Sequence, residues 1–204
     1  MLKELFEASF FYKTFTKKEG MELMLDERIE QGDFGLVDIN ACKGCKYICS
    51  DNPEDREQLK VRGAQQVGVL SLDQLFSFVH ENVGEISDYL LEGADSAIIV
   101  EMSCSTTDYV KDKRSKARRQ LYNTLSLLFE SPPIREHMEK KVARYVVFSW
   151  KETFPIDSEM DSVEANMKGM IQMTDEVYSP DNESRFDFGF KLKEIRYPDV
   201  LYCP

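Results

Sequence analysis

Ile86-Ser-Asp-Tyr-Leu-Leu-Glu-Gly-Ala-Asp-Ser-Ala-Ile-Ile-Val-Glu-Met-Ser-Cys104 holds two short apolar runs, Ser87 to Leu91 and Ala97 to Ser103, on either side of Glu92-Gly-Ala-Asp-Ser96. Apolar runs separated by a turn-rich interval of this kind read as a β-hairpin. Side chains alternate along a strand, so Ile99, Glu101 and Ser103 share one face while Ile98, Val100 and Met102 take the other. A loop from Gly93 to Ser96 pairs Glu92 with Ala97, and the register then sets Asp88 opposite Glu101. Two carboxylates side by side on a largely buried sheet are costly unless a cation or a proton neutralises them. This pair marks the hairpin as the place to look for chemistry.

Working outward, Ser71-Leu-Asp-Gln74 fits a capping box just ahead of the hairpin. Leu72, Leu75, Phe76, Val79 and Val83 follow on one face of the predicted helix, with His80 and Glu81 near its end. A lone histidine there reads as a satisfied surface or core residue, and whether Glu81 approaches the Asp88–Glu101 pair is left open. Beyond the hairpin, Lys111-Asp-Lys-Arg-Ser-Lys-Ala-Arg-Arg119 is the densest basic run of the chain. It leads into a helix with Ala117, Leu121, Leu125 and Leu128 as its core stripe, while Lys113, Lys116 and Gln120 line an adjacent stripe. That stripe reads either as a solvated helix face or as a phosphate-binding ridge beside the carboxylates. Ser131-Pro-Pro133 ends or restarts the helix, and Ile134 to Lys141 reads as another short one. Ala143-Arg-Tyr-Val-Val-Phe-Ser-Trp150 is β-branched and aromatic enough for a strand, set parallel to the Glu101 strand by a right-handed crossover.

On the N-terminal flank the pattern predicts a strand over Ser9 to Phe15 and a helix over Lys18 to Gln31. The helix carries Met21, Leu25 and Ile29 inward and stops at Gly32. Phe34 to Ser50 reads as extended, and Asn52-Pro-Glu-Asp55 opens a short helix to about Val61. Cys42, Cys45 and Cys49 have part of a zinc knuckle's spacing, but no second knuckle accompanies them, so thiols packed along strands are the better reading and zinc is not expected. On the C-terminal flank, Asp161 to Tyr178 reads as a helix with Val163, Met167, Met170 and Ile171 inward. Ser179 to Glu183 is a loop, and Arg185 to Lys193 alternates as a strand. The tail from Tyr197 to Pro204 is apolar enough to pack on the body or on a partner.

The chain has 204 residues, 42% hydrophobic and 31% charged, which suits a single soluble domain with its own core. It shows neither an apolar run of membrane-spanning length nor the pattern of a signal peptide, and its five cysteines suit a reducing cytoplasm. A formal net charge of −11 repels nucleic acid at long range, so a nucleic-acid role needs the local patch Lys111–Arg119 or a partner's surface. The two histidines leave little room for His-based metal or triad chemistry, and no glycine-rich phosphate loop or dinucleotide fingerprint is present.

A helix, a hairpin with Asp on one strand and Val100-Glu101 on the next, a basic helix containing Gln120, then a hydrophobic strand: this order resembles the PD-(D/E)xK, or restriction-endonuclease-like, superfamily over about residues 70–150. The resemblance implies an α/β (α+β) fold, a mixed central sheet flanked by helices, with residues 1–69 and 151–204 as elaborations of a nuclease-like core. It makes Asp88 the motif aspartate and Glu101 the motif acid, both holding magnesium or manganese, with Gln120 as the helix glutamine near the site. Two positions depart from the motif. Ser87 stands where a proline precedes the aspartate, and Ser103 stands where the family has its lysine, with Lys113 or Lys116 on the following helix as the alternative source of an amine.

Two functions follow from the resemblance. One is a divergent metal-dependent nuclease acting on DNA phosphodiesters, in the setting of a prokaryotic antiviral-defence complex. The other is a catalytically silent subunit of the same fold, a scaffold or adaptor bound to a protein partner or to a second copy. Ser103, the acidic surface and the apolar tail point toward the second.

Overall fold

Leu90, Leu91, Ile98, Ile99 and Val100 are all buried, because the hairpin they build lies mid-sheet with side chains covered on both faces. The structure, a computed structural model, describes residues 2–7, 14–16, 18–19, 27–37, 48–49, 58–105, 110–152 and 183–204. In chain order its elements are helix α1 (Leu2–Glu7), strands β1 (Glu27–Leu36), β2 (Ile48–Cys49) and β3 (Leu59–Ser71), and helix α2 (Leu72–Ser77). Strands β4 (Tyr89–Glu92) and β5 (Ser96–Ser105) come next, then helices α3 (Val110–Glu130) and α4 (Pro132–Glu139) and strand β6 (Ala143–Glu152). The chain closes with β7 (Ser184–Arg185), a 3-10 turn at Asp187–Gly189, β8 (Lys191–Arg196) and β9 (Val200–Cys203).

The described strands form one open mixed sheet in the order β2-β1-β3-β4-β5-β6-β8-β7, with β9 alongside β3. The hairpin register is the expected one: Glu92 pairs with Ala97 and Tyr89 with Val100. Strand β6 lies parallel to β5, reached through α3 and α4, and β8 continues parallel beyond it. Leu121, Leu125 and Leu128 of α3 and Ile134 and Met138 of α4 pack over Leu90, Ile99, Val146 and Leu192. Ala117, the small residue of the α3 stripe, meets Phe148 and Trp150. The other face of the sheet gathers Val61, Val69, Leu91, Val100 and Val147 in a second core. Among the described residues the packed helices gather on the first face, so the expected α/β class holds with few helices.

Ser71 caps α2 as expected, its Oγ accepting from the Gln74 N–H at 3.4 Å. The helix stops at Ser77, though, and Val79 and Val83 reach the core from the irregular segment that follows. The helix expected over Lys18 to Gln31 is wrong where the structure describes it, since Glu27 to Gln31 belong to β1. Ile29, which the helical stripe buries, is 62% exposed, because pairing of β1 with β3 overrides local periodicity. Gly32, at φ +80, sits where the β1–β3 register shifts, so it makes a bulge and not a helix stop.

The short helix expected to reach Val61 also gives way at its end. Leu59 and Val61 alternate inward along β3, with Lys60 and Arg62 pointing outward. Thr14 and Phe15 are not in a strand, and Phe15 packs edge-on against Phe76 at 5.9 Å. The single strand expected over Arg185 to Lys193 is broken at Phe188 (φ 58) and Gly189 (φ 74), which take the left-handed conformation. The tail does pack on the body, as β9. Expectations for residues 9–13, 42, 45, 52–55 and 161–178 lie outside the described residues.

Candidate functional site

Asp88 precedes β4, at the open end of the hairpin, and hydrogen bonds fix both its backbone and its side chain. Its N–H donates to the Val100 carbonyl at 3.0 Å, and its carbonyl accepts from the Leu72 N–H at 2.9 Å. Its Oδ2 accepts from the Met102 N–H at 2.7 Å, so the side chain completes the ladder where the strand backbone leaves off. Continuing the register by one residue sets Asp88 opposite Glu101, which is 7% exposed. Both carboxylates line one cleft of about 560 Å³.

The same cleft is lined by Ser103, Lys113, Lys116 and Gln120, so the residues singled out from the sequence for the site share one cavity. Phe148 and Ala117 also line it, and α2 adds Asp73 and Ser77. Asp73, Glu85, Asp88 and Glu101 on the acidic side, and Lys113 and Lys116 on the basic side, all contribute to its lining.

One stripe of α3 holds the segment that leads into Asp88. Gln120 Nε2 donates to the Ile86 carbonyl at 3.3 Å, and Asn123 Nδ2 donates to the Val83 and Glu85 carbonyls at 2.8 and 2.9 Å. Thr124 Oγ1 accepts from the buried Ser87 N–H at 2.8 Å and donates to Ser87 Oγ at 3.2 Å. Lys116 Nζ pairs with Glu85 Oε1 at 3.1 Å. Positions 116, 120, 123 and 124 share one helical face, so a single rigid element grips residues 83–87.

The basic run is partly engaged. Arg114 pairs with Glu194 at 2.9 Å, Arg118 lies over the Phe186 ring and Arg119 sits 3.7 Å from Glu85. Lys113 is exposed at the cleft and forms no ion pair among the described residues. Glu81 turns away from the cleft. Its carboxylate accepts from the Thr16 N–H at 2.9 Å, and that bonding holds it below the usual glutamate range. The His80 backbone N–H donates to the Thr16 carbonyl at 2.7 Å, tying the same two segments together.

Glu85, Asn123 and Thr124 were not legible as site residues, although Asn123 and Thr124 continue the stripe of Lys116 and Gln120. A second polar cluster lies at the other end of the hairpin: buried Glu92 bonds His137 Nε2 and Lys141 Nζ, the latter at 2.7 Å. Burial pushes the Glu92 carboxyl up, but hydrogen bonds and charge from His137 and Lys141 outweigh it and leave it below its ordinary value.

Among the described residues no group of three or more His, Cys, Asp or Glu is placed to hold a metal. An ion at the acid pair would therefore keep much of its coordination as water or substrate oxygen. The donors such an ion would find, hard carboxylate oxygens, are of the kind magnesium or manganese takes, with Asp88 Oδ2 already accepting from the Met102 N–H. Cys42 and Cys45 lie outside the described residues, and Cys49 closes β2. Among the described residues no helix is long and apolar enough to cross a membrane. Comparison with family models, with curated proteins and with solved structures gives no match for this chain.

Proposed function

We propose that the cleft holds a divalent cation between Asp88 and Glu101 and hydrolyses nucleic-acid phosphodiesters, DNA first among them, on a core of the restriction-endonuclease-like kind. One observation carries the reading: Asp88, Glu101, Lys113, Lys116 and Gln120, from three separate elements, line a single cleft. The run α2, β4, β5, α3, β6, with β5 and β6 parallel, supports it.

Asp88 and Glu101 are the ion's ligands in this reading, and a bound magnesium ion would supply an activated water and offset charge on the phosphate. Lys113, free of ion pairs among the described residues, supplies the positive charge that Ser103 lacks. Lys116 stands behind it, tied to Glu85. Gln120 is a positioning residue, holding the Ile86 carbonyl two residues before Asp88.

A specific observation favours a second reading. Ser103 lines the cleft where the motif lysine belongs, and losing that charge costs catalysis several kcal/mol unless it is replaced. On this view the protein is a silent scaffold. Incubation with linear and circular DNA, with magnesium or manganese, separates the two. The nuclease reading expects cleavage by the wild type, none by Asp88→Asn or Glu101→Gln at unchanged thermal stability, and a loss of about a hundredfold in Lys113→Ala. Cleavage by Glu101→Gln at the wild-type rate overturns it, and a folded wild type that cuts nothing with either metal leaves the scaffold.

A further inference from the structure

Lys116, Arg119 and Tyr122 recur at every third position of α3 and lead away from the candidate cleft along the helix. They reach a second groove of about 480 Å³, whose walls include Asn82, Glu85, Arg119, Tyr122 and Asn123. Val83, Gly84 and Glu85 line both cavities, so the turn carrying them is a shared rim. That rim is built to hold its shape. Asn82 Oδ1 accepts from the Gly84 N–H at 3.2 Å, Gly84 takes φ +73, and Asn123 clamps the carbonyls on either side.

Two side chains in the groove are poised for a ligand. Tyr122 is 49% exposed, large for an aromatic ring, and it rests against Phe188 at 5.9 Å, itself 4.9 Å from Phe129. The ring is backed by two further aromatic rings in tilted contact instead of hanging in water. Arg119 meets Glu85 only at 3.7 Å, with both side chains more than half exposed, a contact that water largely screens. An incoming phosphate offers the guanidinium a better, two-pronged partner than this carboxylate does.

We propose that this groove is a subsite for one nucleotide of single-stranded nucleic acid, its base stacked on Tyr122 and its phosphate on Arg119 in place of Glu85. The proposal deepens the function proposed above and rests on it, since the neighbouring phosphate would enter the candidate cleft across the shared rim. The strand is single because a duplex keeps its bases stacked on one another, leaving Tyr122 nothing to receive. Charge complementarity is local: in a chain of net charge −11, the exposed Lys116 and Arg119 give α3 a basic edge for a polyanion to follow.

The test is fluorescence anisotropy of the full chain with a labelled oligothymidylate and with a hairpin duplex of equal length, without divalent metal so that nothing is cut. The expected order is oligothymidylate bound more tightly than duplex. Tyr122→Ala weakens it about tenfold while Tyr122→Phe, which keeps the ring, stays within about twofold. Arg119→Ala weakens binding and lowers the salt slope by about one. Glu85→Gln tightens binding by about threefold, because the competing carboxylate is gone. Equal binding by Tyr122→Ala and wild type, preference for the duplex, or no binding by wild type each overturns the subsite. The two proposals fail separately: cleavage with unaffected Tyr122 variants removes the subsite alone, and the expected binding series without cleavage removes the catalysis alone.

Discussion

Thr124 has no part in the chemistry, yet the placement of Asp88 passes through it. Its hydroxyl accepts from the Ser87 N–H in a fully buried setting, one residue before the aspartate. Valine has nearly the same shape and no acceptor, so Thr124→Val strands a buried N–H. The expected cost is about 1–3 kcal/mol in urea denaturation, with Thr124→Ser close to wild type. At this scale the acid pair was legible in the sequence, because alternation and one turn suffice to set residues 88 and 101 side by side. What holds them was less legible. Glu85, Asn123 and Thr124 act through partners brought close by the packing of α3, and nothing in their own neighbourhoods announces it.

Among the elements, the β4–β5 hairpin divides its labour between its ends. Its open end carries the cleft, and its turn is pinned to the chain that leaves α4. Lys141 Nζ donates to the Gly93 and Ala94 carbonyls at 3.0 and 3.1 Å and pairs with Glu92, while the Val142 and Ala143 N–H groups both reach the Asp95 carbonyl. Glu92→Ala leaves Lys141 without its buried counter-ion, and the expected loss is about 3 kcal/mol by denaturant melting. The pH dependence has a definite sign. The folded Glu92 carboxyl lies below its unfolded value, so its contribution is complete above the ordinary glutamate pKa and is lost as pH falls through the folded one. The fall in melting temperature on the acid side is therefore expected to be shallower in Glu92→Gln than in wild type. The hairpin register was readable because turn residues and apolar runs agreed. In β1 and β3 they did not: Ile29 fits a helical stripe in isolation, and only a partner strand distant in sequence decides otherwise.

For the whole molecule, one sheet carries both flanks as well as the hairpin. Strand β9 lies parallel to β3, and Cys203 Sγ comes within 3.3 Å of Ser96 Oγ at the start of β5, so the last residues of the chain brace the element that bears Glu101. The apolar tail gave that packing away, whereas its register against β3 depends on contacts no local pattern encodes. Net charge belongs to this scale too. At −11 the body repels polyanions and attracts cations, and the proposed ion between Asp88 and Glu101 is the part of the account that this charge favours. A crystal structure of the protein soaked in manganese, read by its anomalous difference map, tests this most directly. The account predicts a peak bridging the carboxylates of Asp88 and Glu101 that is lost in Glu101→Gln, and a map with no peak between them, or the same peak in the variant, would contradict it.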